Sequence, residues 1–129
     1  MNTDSSLGKY LLLACLLLPL APANAEKPQL LGYGVKPCEA YLTAYEGWDL
    51  GQEEHIEQYL RFRDWLAGFV SGLNLAMGED MLRGVEIEGA MRRIQIHCDE
   101  RPTVDFFTAA MSLIQILNKL ERDGAAPDS

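Results

Sequence analysis

The chain has 129 residues, 48% of them hydrophobic and 23% charged, with a net charge of −8 and a pI near 4.6. That size holds one domain, and the apolar content is too high for bulk disorder. The acidic balance argues against nucleic acid or an anionic membrane surface as the main partner.

Residues 1–25 read as a cleaved export signal. Lys9 supplies the positive start, Tyr10 to Leu20 is an apolar run of eleven residues with seven leucines, and Ala23-Asn24-Ala25 offers the small side chains of a cleavage site. Eleven residues rise only about 16 Å as a helix, too little to span a bilayer. Cys15 follows Leu12-Leu13-Ala14 in a weak likeness to a lipidation box, but the apolar run continues past it. The expected location is periplasmic or secreted, with no membrane attachment after cleavage.

Cleavage leaves 104 residues, 10 basic and 18 acidic, with Cys38 and Cys98 as the two cysteines. An even count in an exported chain reads as one disulfide. Closing a loop of about 60 residues restricts the unfolded chain by about 4 kcal/mol. His97 beside Cys98 raises the alternative of a thiol nucleophile, but adjacent helical residues point about 100° apart. No spacing of His55, His97 and carboxylates supports a metal site, and none of the residues suggests a cofactor.

Residues 26–36 read as an extended lead-in, followed by a helical domain over 37–123 and a flexible tail over 124–129. Pro37 suits a first helical turn, and Cys38, Tyr41, Leu42 and Tyr45 follow helical spacing. Gly47, Asp49 and Gly51 mark the following turn. A long second helix is expected from Glu53 to Met77, with Ile56, Tyr59, Leu60, Arg63, Leu66, Phe69, Val70 and Leu73 recurring at three and four residues. Gly68 and Gly72 suggest close approach of a neighbouring helix. After a loop at Gly78-Glu79-Asp80, a third helix is expected over 85–98, with Ile87, Ala90, Met91, Ile94 and Cys98 inward and Glu88, Arg92 and Arg93 solvated. Alternation around Ile94-Gln95-Ile96 leaves a strand as the alternative. Pro102 opens a fourth helix over 103–122, with Phe106, Phe107, Ala110, Met111, Ile114 and Leu117 inward. The fold expected is all-α, a small disulfide-pinned four-helix domain.

Three short stretches resemble the HdeA/HdeB type of periplasmic acid-stress chaperone. They are Cys38-Glu39-Ala40-Tyr41-Leu42, the glycine-containing Trp65-Leu66-Ala67-Gly68-Phe69-Val70-Ser71-Gly72, and Cys98 followed by a polar turn and a helix opening at Phe106. The layout also resembles the Rap/Tai kind of type VI secretion immunity protein. The first resemblance implies binding of unfolded clients and allows a homodimer. The second implies direct neutralisation of a toxin or hydrolase.

The acid-stress chaperone role is the expected one, with the immunity or inhibitor role as the alternative; either is protein binding without catalysis. Glu54-His55 and Asp64 are the conceivable acid–base groups, and nothing in their spacing orients them. Trp48 and Phe62 fall off or beyond the apolar stripe and are candidate aromatic anchors. Glu53, Glu54 and Glu57 form an acidic group that a basic partner could engage, although they also suit the positive end of a helix dipole.

Overall fold

The computed structural model describes residues 28–124; the expected export signal, the first two residues of the lead-in and the tail beyond Gly124 lie outside them. A 3-10 turn at Gly32–Val35 leads into four helices: α1 Cys38–Asp49, α2 Glu53–Met77, α3 Ile87–Glu100 and α4 Phe106–Gly124. No strand occurs among the described residues, and the architecture is an all-α four-helix domain.

Three helix ends meet at one junction. Cys38 at the start of α1 is disulfide-bonded to Cys98 near the end of α3, with Cα atoms 5.1 Å apart. The first amides of a helix have no partner within it. Those of α1 find theirs in the α3–α4 connection: Cys38 donates to the Val104 carbonyl at 2.8 Å and Glu39 to that of Pro102 at 3.1 Å. Phe106 reciprocates, donating its amide to Lys36 O at 2.9 Å. The carbonyls of Pro102 and Val104 are therefore committed to α1, and α4 begins at Phe106 rather than Thr103. The bond also consumes the Cys98 thiol, which removes the nucleophile reading of that residue.

The core is aromatic at its centre. Phe62 has its ring centroid 4.9 Å from those of Tyr33 and Phe106 and 5.2 Å from that of Tyr41. Leu66, Met91, Ile94 and the cystine fill the space around them. The Tyr41 hydroxyl, wholly buried, donates to Met91 O at 2.8 Å, so its burial leaves no donor unsatisfied. Burial also pushes that hydroxyl's pKa far up, so it stays protonated.

The buried stripe of α2 differs from the expected one. Tyr59, Phe62, Leu66 and Val70 face inward, while Leu60 is 41% exposed. Arg63, placed on the stripe by its spacing, lies at the edge and donates to Glu88 on α3 at 2.7 Å. Glu88 is thus partnered rather than merely solvated. Among the described residues nothing approaches the faces of Gly68 and Gly72, which corrects the expected helix contact there. The close approach is instead at Gly47, where a methyl group would collide with the His55 ring. Gly47 therefore lies inside α1, and the chain turns only at Gly51, whose φ of +72° suits glycine.

The lead-in is also more than an extended arm. Trp65 donates its indole N–H to Leu31 O at 2.9 Å, and Gly34 lies against the six-membered ring of that indole. A side chain at 34 would collide with the ring. The packed domain accordingly begins near Leu31, six residues before the expected boundary at 37. The α2–α3 connection is equally ordered. Asp80 accepts from the amides of Leu82 at 3.0 Å and Gly84 at 2.7 Å, and Asn74 Oδ1 accepts from Met81 N at 2.9 Å. These bonds replace the start expected at Val85, and α3 begins at Ile87.

Candidate partner-binding groove

Helices α3 and α4 pack inward through Ala90, Met91, Ile94 and Cys98 on one and Phe106, Ala109, Ala110, Leu113 and Ile114 on the other. Each helix also carries apolar side chains off that stripe. Ile96 is 57% exposed and Ile116 54% exposed. Leu120, one turn beyond Ile116, is 62% exposed and extends the α4 row.

Ile96 and Ile116 border a groove between the two helices. Its apolar part, about 220 Å³, is lined by Arg93, Ile96, His97, Leu113 and Ile116. It continues into an open cleft of about 350 Å³ where Glu100, Arg101, Ser112, Gln115 and Lys119 join His97 and Ile116. Three cations therefore rim the groove against one carboxylate, in a chain whose net charge is −8. The Nε2 atom of His97 is buried at the seam and has no hydrogen-bond partner among the described residues.

On the other side of α3 the charge reverses. A cleft of about 260 Å³ between α1 and α3 is lined by Glu46, Asp49 and Asp99 with Leu42, Tyr45 and Gln95. The basic character of the α3–α4 groove is thus local. The groove can take up an apolar side chain and pair with carboxylates around it.

The residues chosen from the sequence lie elsewhere. Phe62 is 1% exposed at the centre of the core, which corrects its candidacy as a surface anchor. Helical phase explains the correction, because Phe62 sits three residues after Tyr59 and four before Leu66 on the inward face. Trp48 is half-buried and stacks on Tyr59 at 4.1 Å with the rings 10° from parallel. One face of its indole is covered by that stack. Glu53, Glu54 and Glu57 are exposed at the start of α2. Glu57 pairs with Arg61 and Glu54 lies 3.5 Å from the His55 ring, so these two of the three acids have neighbours of their own within the helix. Asp64 lies 3.6 Å from Arg63.

Ile96, Ile116, Arg93, Arg101 and Lys119 were not singled out as a site by the sequence. The signal was present in part: Ile96 and Ile116 are apolar residues outside the expected stripes of their helices. Their proximity depends on how α3 and α4 pack, which periodicity along one helix does not reveal. Among the described residues no cluster of three or more His, Cys, Asp or Glu side chains could hold a metal ion. No described helix is long and apolar enough to cross a membrane. No family model, curated protein or solved structure matches the chain.

Proposed function

We propose that this chain is an exported, non-catalytic protein-binding module that holds a dedicated protein partner in the α3–α4 groove. The observation that carries the reading is the pairing of exposed Ile96 and Ile116 with Arg93, Arg101 and Lys119 on a frame pinned by the Cys38–Cys98 bond. Apolar side chains in a polar rim are the usual anatomy of a recognition surface. A rigid frame lowers the ordering cost of binding. A dedicated inhibitor or immunity role follows most directly, as the Rap/Tai resemblance implies.

The HdeA-like chaperone role is the second reading, and a separate observation favours it. Arg63 on α2 holds Glu88 on α3, and Arg83 in the α2–α3 connection lies 2.7 Å from Glu121 on α4. Acid protonates the Glu88 carboxylate, which the Arg63 hydrogen bond holds below the usual glutamate range, and releases that tie between α2 and α3. The domain then loosens while the disulfide limits unravelling.

One comparison separates the readings. The protein is purified at neutral pH from the exported fraction of its own cells, as wild type and as Ile96→Asp/Ile116→Asp. It is then tested for suppression of aggregation of unrelated denatured clients at pH 7 and pH 3. The module reading expects one stoichiometric partner, lost with the double substitution. The chaperone reading expects suppression at pH 3 alone. A partner retained by the double variant rules out the groove as the binding site.

A further inference from the structure

We infer that the groove is shaped for an acidic amphipathic helix of the partner, a conclusion that rests on the protein-binding reading above. The argument is one of charge and spacing. The molecule is acidic overall, yet the groove carries Arg93, Arg101 and Lys119 around Ile96, Leu113 and Ile116, with Glu100 as its one acid. A like-charged acidic surface elsewhere on this chain would repel such a partner, so the cations also orient it.

Arg93, His97 and Arg101 recur at four-residue intervals along α3 and its end. Eight residues at helical rise separate the two arginines by about 12 Å. A helix lying along the groove meets that separation with carboxylates roughly seven or eight residues apart. An apolar residue midway between them then falls over Ile96, Leu113 and Ile116. Seating a third helix between two packed helices is a common recognition mode, in which anchors recur at three and four residues. The unpartnered rows of α3 and α4 supply its two walls.

The test uses two synthetic labelled helices of about 18 residues with the same leucine row, a length sufficient to hold helix in water when well designed. One carries Glu at the flanking positions and the other Lys. Binding to the protein purified from cells expressing the whole chain is read by fluorescence anisotropy between low and moderate salt. The acidic helix is expected to bind, more weakly as salt rises. Arg93→Glu/Lys119→Glu should weaken it at least about tenfold and admit the Lys helix in its place. Ile116→Ser should weaken both pairings. All the substituted side chains are exposed or line an open groove, and circular dichroism with thermal melting checks that each variant remains folded.

The inference is overturned if wild type takes the two helices alike, takes neither, or if charge reversal does not exchange their order. It is also overturned if sedimentation shows a dimer that Ile116→Glu dissociates, since the occupant is then a second copy. A native partner lost with Ile96→Asp/Ile116→Asp while the peptides show no preference leaves the binding module intact and removes only the acidic helix. A native partner unaffected by that double substitution removes the module reading itself.

Discussion

Truncating Phe62 to alanine separates the structural account most sharply from a reading of that residue as a binding anchor. The side chain is 1% exposed and packs against the rings of Tyr33, Tyr41 and Phe106 at 4.9, 5.2 and 4.9 Å. Removing a buried phenylalanine loses its transfer free energy and leaves a cavity, together worth about 3–5 kcal/mol. Three surrounding rings belonging to three different elements cannot all collapse into the space, so the cost should be about 4 kcal/mol. That is a large part of the roughly 5–15 kcal/mol that holds a small domain folded. With a urea dependence of about 1.5 kcal/mol per molar, the unfolding midpoint should fall by about 2.7 M, with the slope unchanged. Phe62→Leu, which keeps most of the volume, should recover more than half of the loss. The assay is urea denaturation of the oxidised protein followed by circular dichroism. A midpoint shift below about 0.5 M, accompanied by loss of partner binding, would refute the placement of Phe62 in the core.

Other consequences follow from the junction, the lead-in and the ion pairs. Replacing both Cys38 and Cys98 by alanine should lower stability by about 4 kcal/mol, from the chain entropy of the loop they close; denaturant titration against the oxidised wild type measures it. Gly34→Ala should displace the Trp65 ring, costing about 1–3 kcal/mol and shifting tryptophan emission to the red in a Trp48→Phe background, whereas Gly68→Ala, whose face is open, should be neutral or stabilising. The hydrogen bond from Arg63 holds the Glu88 carboxyl below the usual glutamate range, and the amides of Gly84 and Leu82 do the same for Asp80. A depressed carboxyl pKa contributes stability above its unfolded value that is lost as pH falls through the folded value. Stability should therefore decline below about pH 4.5, and Arg63→Gln should flatten part of that decline; an unchanged acid limb in thermal melts would contradict the tie.

The helices and their order were legible from periodicity because each carries a stripe at three and four residues and ends at Gly or Pro. The bounds of α2, Glu53–Met77, follow from the glutamates at its start and from Gly78, whose φ of +72° ends it. The disulfide was legible from the count of cysteines. What was not legible depended on contacts across the chain. The start of α4 lies later than its spacing suggests because the Pro102 and Val104 carbonyls serve α1. The lead-in joined the core because Trp65 needed cover and Gly34 permits it. Phe62 was misassigned because Leu60 and Arg63 are equally compatible with a 3.6-residue repeat over a 25-residue helix, and only the positions of Tyr33, Tyr41 and Phe106 decide its phase. The groove stayed hidden because its two walls lie 20 residues apart, from Ile96 to Ile116.

Site-specific photocrosslinking in the native compartment tests the central claim most directly. A crosslinking side chain is placed in turn at Ile96, Ile116, Leu50 and Leu60, all exposed. The account predicts crosslinks from Ile96 and Ile116 to one protein, at neutral pH, with none from Leu50 or Leu60. Crosslinks from Leu50 or Leu60 to that protein, or a ladder of unrelated proteins from all four positions, would contradict a dedicated partner held in the α3–α4 groove.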